Sequence, residues 1–444
     1  MLKILTNQTY RHLFLAQVIA LVGTGLATVA LGLLAFDLAG AQAGAVLGTA
    51  LAIKMTAYIG VAPIAAAFAE RLPRKAMLVS LDLVRALVAL ALPFVTEIWQ
   101  VYVLIFVLQS ASASFTPTFQ ATIPDILPDE DDYTRALSLS RLAYDLESVA
   151  SPMLAAALLT VVSFHSLFVG TVIGFLASAA LVSTVLLPKA KQTPRRSIYE
   201  RTTRGMRIFL ATPRLRGLLA LNLTVAAASA MVIVNTVVLV QSRFALPQSF
   251  TALALAAFGG GSMIAALVLP RLLKGIKDRT AMLFGAGILV VGLAIGINLT
   301  TYNFLLPLWV LLGIGYSLAQ TPSGRLLRRS AHAEDRPALF AAQFSLSHAC
   351  WLITYPLAGW LGADISLTAS FIGLALLAGS ALLVSMVIWR PAHDLESIKH
   401  THEDLPDNHI HLREYGGTDH RHPYVIDDQH PRWPNKQRTR IDSQ

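Results

Sequence analysis

Long apolar runs alternate with short polar connections along almost the whole chain. Crossing the hydrocarbon core of a membrane takes about 20 mostly apolar residues in a helix. Backbone groups inside a bilayer must be hydrogen-bonded within the protein, so a spanning segment is a helix or part of a closed barrel. The length and unbroken apolarity of the runs exclude a barrel, and we predict an all-α membrane protein with twelve transmembrane helices. The runs lie near residues 13–38, 43–68, 77–95, 101–122, 136–161, 165–188, 217–241, 250–272, 281–299, 303–322, 338–361 and 366–390.

The composition agrees with an exterior that faces lipid. Of the 444 residues, 55% are hydrophobic and 14% are charged, whereas a soluble protein carries about 25% charged residues. Cys350 is the single cysteine, which excludes an intramolecular disulfide and a metal site built from several cysteines.

Lysine and arginine are unevenly distributed over the connections. If the N-terminus is cytoplasmic, the outer connections hold one basic residue, Arg243, and the inner ones hold nearly all the others. Cytoplasmic connections are enriched in Lys and Arg, so we predict a multi-pass protein of a bacterial-type inner (plasma) membrane with both termini cytoplasmic. The net charge of +9 is then a topology signal and a contact for anionic lipids of the bilayer, and we expect no nucleic-acid binding.

The longest internal polar segment divides the membrane region into halves of equal helix number. We predict an N-terminal six-helix bundle over residues 1–188, a cytoplasmic basic linker over 189–216, and a C-terminal six-helix bundle over 217–390. A weak internal repeat agrees with this division, because an acidic pair and a later proline recur at the same spacing in both halves. Residues 391–444 are polar and rich in histidine, and we predict a disordered cytoplasmic tail.

The connection after the second run reads Ala-Ala-Phe-Ala-Glu-Arg-Leu-Pro-Arg-Lys over residues 66–75. It resembles the G-x-L-a-D-R-x-G-R-K loop motif of the major facilitator superfamily. Arg71, Arg74 and Lys75 match, Glu70 replaces the Asp, and Ala66 and Pro73 replace the glycines. The resemblance implies two six-helix bundles, transport by alternating access, and a gate-side latch at this cluster. A set of cations that only follows the positive-inside rule is the alternative interpretation.

Two other segments resemble branches of the same superfamily. Residues 151–156 (Ser-Pro-Met-Leu-Ala-Ala) are similar to the G-P-x-x-G-G motif of its antiporters, although ordinary packing of small residues produces the same pattern. Residues 119–125 (Phe-Gln-Ala-Thr-Ile-Pro-Asp), together with Asp82 and Arg85, resemble the branch of enterobactin-type siderophore exporters. Phe106 stands where proton-coupled drug antiporters carry an arginine three residues before a glutamine, here Gln109, so the coupling mechanism stays open.

Ionisable side chains inside the spanning runs are candidates for the mechanism, because a charge in the hydrocarbon core is costly. We hypothesise that Lys54, near the midplane, pairs with a carboxylate in the region of the second and fifth runs. Glu147 or Asp145 would then take up a proton during the cycle. The alternative is a set of static ion pairs, such as Asp82 with Arg85 three residues later on one helix face. The candidates are Lys54, Asp82, Arg85, Arg141, Asp145 and Glu147.

The resemblance implies a substrate cavity lined by the first, fourth, seventh and tenth helices. The polar residues available on these runs are uncharged, which suits a bulky amphiphile better than a highly charged anion. The cavity-lining candidates are Gln17, Gln109, Ser112, Asn222, Asn235, Tyr316 and Gln320.

Histidines are concentrated in the tail, where six of them form three His-x-His pairs near carboxylates. Imidazole and carboxylate ligands suit Ni²⁺, Co²⁺, Zn²⁺ or Cu²⁺, and nickel-resistance exporters of the same superfamily carry similar tails. The metal-ligand candidates are His400, His402, His409, His411, His420 and His422.

We expect a monomeric transporter without a cofactor that exports a small amphiphilic molecule of the drug or siderophore type, driven by protons or another coupling ion. The alternative is a divalent-metal (nickel or cobalt) exporter with a metal-binding tail. The sequence has no HExxH, GxSxG or phosphate-binding Gly-Lys motif, and we therefore expect no enzymatic activity.

Overall fold

The computed structural model describes residues 2–69, 73–187, 198–272, 275–332, 335–394, 397–401, 413, 417–427 and 429–434. This part of the chain is mostly helical, as predicted. Its α-helices are α1 (Gln8–Ala39), α2 (Ala43–Ala69), α3 (Arg74–Ala91), α4 (Ile98–Ile126), α5 (Glu130–Leu158), α6 (Phe164–Ser183), α7 (Ile198–Ala211), α8 (Pro213–Val237), α9 (Gln248–Leu272), α10 (Asp278–Gly296), α11 (Tyr302–Gln320), α12 (Ser323–Arg328), α13 (Arg336–Trp360) and α14 (Leu367–Ile388).

Each of the twelve predicted runs overlaps one long helix, and the shorter α7 and α12 lie in the connections between them. Nine segments of the described residues are long and apolar enough to cross a membrane, and one of these, Gln8–Val61, contains all of α1 and most of α2. Helices α5 and α13 are not among these segments. Arg141, Asp145 and Glu147 make α5 the more polar of the long helices in the N-terminal part.

Helix ends follow local capping chemistry. The side chain of Asn7 accepts a hydrogen bond from the backbone N–H of Tyr10 at the start of α1, and Asp129 accepts one from Asp132 at the start of α5. Each cap satisfies a backbone donor that the helix itself leaves free. Helix α1 ends at Ala39, and the next residue, Gly40, has a φ of +55°, a conformation that favours glycine.

Helices α1 to α6 form a first helix group, and α8 to α11 with α13 and α14 form a second; most of the packing between helices lies within these groups. Two helix pairs join the groups most extensively: α2 packs on α13, and α5 packs on α9. The amphipathic helix α7, in the basic linker, packs against α13. The side chain of Arg204 on α7 is bound there by Asp335, with 2.9 Å between its Nη2 and Oδ2.

The crossing of α2 and α13 brings two backbones into direct contact. A Cβ atom at Gly48 would lie 2.5 Å from the carbonyl oxygen of Tyr355, and one at Gly359 would overlap the carbonyl group of Gly44. Small residues allow this kind of close approach between membrane helices. The crossing therefore depends on glycine at these positions.

Part of the tail is folded, and the prediction of a disordered tail is wrong for the residues that the structure describes. Strands β1 (Ile398–Thr401) and β2 (Asp419–His422) form a two-stranded antiparallel sheet in which His400 pairs with His420. Tyr424 and Ile426 are buried in one cluster with Phe209 of α7 and Leu326 of α12. These apolar side chains are too few to show a period in the sequence. They nevertheless bury against a surface that the helices already provide, and this burial offsets the entropy of ordering the segment.

Candidate transport site

The loop motif after α2 is only partly within the described residues. Arg74 and Lys75 are the first two residues of α3 and are half-buried. Glu70 and Arg71 lie outside the described residues, so the expected latch stays a prediction.

Asp82 and Arg85 form a buried ion pair on α3. The hydroxyl of Ser178 on α6 donates to the second carboxylate oxygen of Asp82 at 2.7 Å. The Arg85 guanidinium lies between the rings of Phe115 and Phe175, 4.2 and 4.5 Å from their centroids. This arrangement joins α3, α4 and α6, and breaking such a buried pair costs about 3–5 kcal/mol. This geometry is that of a structural ion pair that holds the three helices together.

A second pair of opposite charges lacks such direct contacts. Lys54 on α2 and Glu147 on α5 attract each other electrostatically, and no direct ion pair joins them in the described structure. Glu147 lies against the backbone of Gly25 on α1, one helical turn before Ser151. The Lys54 ammonium lies 5.9 Å from the centroid of the Tyr58 ring. The side chains of Arg141 and Asp145 lie outside the part that can be described.

Lys54 lines a small cavity inside the first helix group. Its polar wall consists of Gln109 and Ser112 from α4 and of Thr24 and Thr28 from α1. The cavity has a volume of about 20 Å³, which is room for about one water molecule. The Ser112 hydroxyl donates to the carbonyl of Leu108 at 3.0 Å. The side-chain oxygen of Gln109 is buried without a hydrogen-bond partner among the described residues.

The other cavity candidates lie elsewhere. Gln17 is buried and accepts a hydrogen bond from Ser140 at 3.0 Å, and Asn222 is buried on α8. Asn235 does not line the cavity. It donates to the carbonyl of Ala358 at 2.9 Å and to Ser370 at 3.1 Å, so its amide joins α8 to α13 and α14.

Tyr316 and Gln320 are the candidates on α11. Tyr316 is half-buried and contacts the ring of Phe258 edge-on, with 5.6 Å between centroids. Gln320 is the last residue of α11 and is also half-buried. Neither is among the residues that line the small cavity.

An aromatic contact between α2 and α13 was not predicted. The rings of Tyr58 and His348 stack with 5.3 Å between centroids, and Phe344 contacts both rings. The Nδ1 atom of His348 lies 2.7 Å from the carbonyl oxygen of Phe344. Phe344, His348, Trp351 and Tyr355 recur at helical spacing, which indicates an aromatic face on α13 but not the helix that packs against it.

Two of the six predicted metal ligands have described side chains. The rings of His420 and His422 are stacked with 5.2 Å between centroids, and His430 lies 5.2 Å from His422. Within the described ranges, no group of three or more His, Cys, Asp or Glu side chains is arranged to hold a metal ion. The side chain of His400 lies outside these ranges. His402, His409 and His411 lie outside them entirely.

Asp427 connects this histidine cluster to the segment between α12 and α13. Its Oδ1 is 2.9 Å from Nδ1 of His430, and its Oδ2 is 3.2 Å from Nε2 of His332. Although burial raises the pKa of Asp427, the hydrogen bonds from His430 and His332 together lower it well below its usual range. Burial lowers the pKa of His422. The docked tail therefore favours an ionised Asp427 and a neutral His422.

Long apolar helices that enclose a few buried charges are typical of a multi-pass membrane protein. The sequence matches the model of the Major Facilitator Superfamily over residues 13–296 and 218–425. The chain belongs to this superfamily, whose members are transporters.

Two curated relatives are similar in sequence. The chain is 23% identical over 354 residues to the uncharacterized MFS-type transporter YfiS of Bacillus subtilis, covering 73% of this chain and 82% of that protein. It is 25% identical over 153 residues to macrolide efflux protein A of Streptococcus pyogenes, covering 32% of this chain and 38% of that protein.

Solved structures share the fold. A variant of the nucleoside transporter NupG superposes with a TM-score of 0.66 at 12% identity, covering 86% of this chain and all of that chain. A bacterial homolog of the human lysosomal transporter Spinster, in an inward-facing and occupied conformation, gives 0.66 at 13% identity over 86% and 96% of the chains.

Proposed function

We propose that this chain is a proton-driven exporter of small amphiphilic molecules that works by alternating access. The observation that carries the proposal is the placement of Lys54 beside the polar cavity and within the electrostatic reach of Glu147. Charges inside a membrane protein that are not locked in a static pair are suited to a transport cycle.

The proposed architecture has twelve spans, with both termini on the cytoplasmic side of a bacterial inner membrane. In this orientation, the glycine crossing of α2 and α13 lies at the outer end of the bundle. Helices α2 and α13 are in contact at Gly44 and again at Tyr58, a distance of about 21 Å along the helix. In alternating access these contacts break while contacts at the cytoplasmic end form, as the two halves rock about the midplane.

Glu147 is the proposed proton carrier. Proton uptake by the carboxylate removes its charge, and with it the attraction to Lys54. Glu147 lies against α1 at Gly25, so this change acts where α1, α2 and α5 meet. Release of the proton on the cytoplasmic side restores the attraction between Glu147 and Lys54 and returns the transporter to its starting conformation. Phe106 stands on α4 where proton-coupled drug antiporters carry an arginine, and its side chain is 46% exposed. Because α4 offers no ionisable group at this position, the proposed proton carrier is on α5.

The proposed substrate class follows from the cavity lining and from one relative. Apart from Lys54, the polar lining consists of glutamine, serine and threonine side chains, which offer hydrogen bonds without charge and suit an amphiphilic organic molecule. Macrolide efflux protein A is named for the export of such a molecule, and the similarity to it supports export. The proposed transporter is a monomer.

Substrate-dependent proton movement tests this function. The purified protein is reconstituted into liposomes that contain a pH-sensitive dye, and erythromycin is added as the first probe of a panel of macrolides and cationic dyes. We expect at least one probe to move protons with wild-type protein and not with protein-free liposomes. If substrates cross without any proton movement over the whole panel, proton coupling is wrong.

A divalent-metal exporter is the second candidate, favoured by the adjacent rings of His420, His422 and His430. A metal would have to rearrange these side chains, because the described residues hold no ready set of ligands. Calorimetric titration of the full chain with Ni²⁺, with a His420→Ala/His422→Ala variant as the control, tests this function. Identical heats from both proteins would exclude a metal site at these two histidines.

A further inference from the structure

A groove of about 540 Å³ lies on the outside of the second helix group, between α10, α11 and α14. Its walls are apolar over most of their length, with Leu283, Val291, Leu311 and Met386 among the lining residues. The groove is separate from the small polar cavity described above, which lies in the other helix group.

Gly287 on α10 leaves the floor of this groove open. A Cβ atom at Gly287 would meet no atom within 4 Å, so the groove floor is open above this residue. On another side of α10, a Cβ at Gly285 would overlap the backbone of α11, and this contact fixes the two helices close together. Phe284 and Val291 are 65% and 55% exposed and form the outer wall.

One end of the groove is polar and positively charged. Arg279 and Thr280, in the first turn of α10, line it. The Nε of Arg279 donates to the carbonyl of Trp389 at 2.7 Å, which fixes the guanidinium in place. The terminal nitrogens of Arg279 make no hydrogen bond within the described part of the chain, so they are available to an anion. Arginine with a neighbouring hydroxyl is suited to binding a phosphate group.

The length of the groove matches one leaflet of a membrane. From Arg279 to Val291 the helix rises about 18 Å, and half of the hydrocarbon core is about 15 Å thick. In the orientation proposed above, the charged end lies at the cytoplasmic surface, where anionic lipid headgroups are found. The inference rests on that proposed orientation.

We propose that this groove binds one anionic phospholipid of the cytoplasmic leaflet. The phosphate lies at Arg279 and Thr280, and one acyl chain runs along α10 over Gly287 towards Val291. The lipid fills the space between α10, α11 and α14 and is held in preference to the lipids around the rest of the protein.

Native mass spectrometry of the full-length protein in detergent tests this proposal. The protein is titrated with phosphatidylglycerol or, as the zwitterionic comparison, with phosphatidylethanolamine. We expect the first phosphatidylglycerol molecule to bind at least tenfold more tightly than further phosphatidylglycerol molecules. Arg279→Gln should remove the preference for phosphatidylglycerol, and Gly287→Phe should remove the tight binding of both lipids because the ring fills the groove.

Two matched controls separate the site from general effects. Arg243→Gln also removes an arginine that donates to a backbone carbonyl, here that of Leu299 at 2.7 Å, but at the opposite end of the helices. Ile173→Phe enlarges a residue on α6 that is 61% exposed. Both controls should bind lipid like the wild type. If Gly287→Phe does not fold, Gly287→Val takes its place.

Equal binding of the two lipids by the wild type, or unchanged binding by both groove variants, would overturn the proposal. Lipid binding is measured without transport or a pH gradient, so its failure would leave the transport proposal standing. A failed transport assay would equally leave a positive lipid result intact.

Discussion

Glu147 on α5 lies against the backbone of Gly25 on α1, so that a Cβ atom at residue 25 would overlap both Glu147 and Ser151. The proposed proton carrier is therefore positioned by a helix contact that only glycine permits. Any larger residue at position 25 must move either α1 or the carboxylate.

The Gly25→Ala variant tests this contact. We expect it to lower the free energy of unfolding by about 1–3 kcal/mol, the usual cost of overpacking, and to reduce transport. Gly60→Ala on α2 is the matched control, because a Cβ there would meet no atom within 4 Å. The thermal unfolding midpoint and the transport rate are measured for both. Equal behaviour of the two variants would contradict the close contact.

The buried Asp82–Arg85 pair should act on stability rather than on coupling. Asp82→Asn leaves the guanidinium without its counter-charge between two phenylalanine rings, and we expect a loss of about 3–5 kcal/mol. The double variant Asp82→Asn/Arg85→Gln should recover part of it, because no unpaired charge remains. Thermal unfolding of the purified variants checks this. A fully stable Asp82→Asn protein with altered proton coupling would assign the pair to the mechanism instead.

Alternating access predicts that the contact between the two halves at the outer end must open during transport. The side chain of Gln42, just before α2, donates to the carbonyl of Ala363, just after α13, at 3.3 Å. In a Cys350→Ser background, which has no cysteine, a Gln42→Cys/Ala363→Cys pair is joined with a short, cleavable cross-linker. We expect transport to stop on cross-linking and to return on cleavage, whereas each single-cysteine variant remains active. Full activity of the cross-linked protein would argue against separation of the halves at this point.

Docking of the tail should weaken in mild acid. Burial lowers the pKa of His422 in the docked state, so the undocked state binds more protons once the pH falls below about 6.5, the usual value for histidine. Acid therefore favours release. The contribution of Asp427, whose pKa is lowered when docked, persists until the pH falls below about 4, its usual value.

Hydrogen exchange of residues 420–426 measures this release. We expect less protection at pH 5.5 than at pH 7.5 in the wild type, and little difference between the two in His422→Phe, which keeps an aromatic ring but cannot be protonated. Asp427→Ala should reduce protection at both pH values. Protection that is the same at both pH values in the wild type would show that His422 does not control docking.

The features that could be predicted from the sequence are those that depend on residues close together along the chain. Long apolar runs located the helices, because a helix is defined by consecutive residues. The spacing of Asp82 and Arg85 indicated a pair because residues three apart share a helix face. The contact of Phe344 with Tyr58 depends on how two distant helices face each other, and one sequence does not specify this.

The tail and Asn235 show the same limit. His400 of β1 pairs with His420 of β2, twenty residues later in the chain, and Arg214 donates to the carbonyl of Tyr424 at 3.4 Å. Neither relationship leaves a periodic pattern. The amide of Asn235 could serve a substrate or a helix contact equally well, and only its position beside Ala358 distinguishes the two.

The most direct test of the central claim separates substrate movement from proton coupling in the Glu147→Gln variant. Liposomes containing wild type, Glu147→Gln or the control Glu97→Gln, whose carboxylate is exposed at the start of α4, are assayed for substrate exchange without a gradient and for uphill transport driven by a pH gradient. We predict that Glu147→Gln retains exchange and loses uphill transport, while wild type and Glu97→Gln do both. Uphill transport at the wild-type rate by Glu147→Gln would contradict the assignment of Glu147 as the proton carrier.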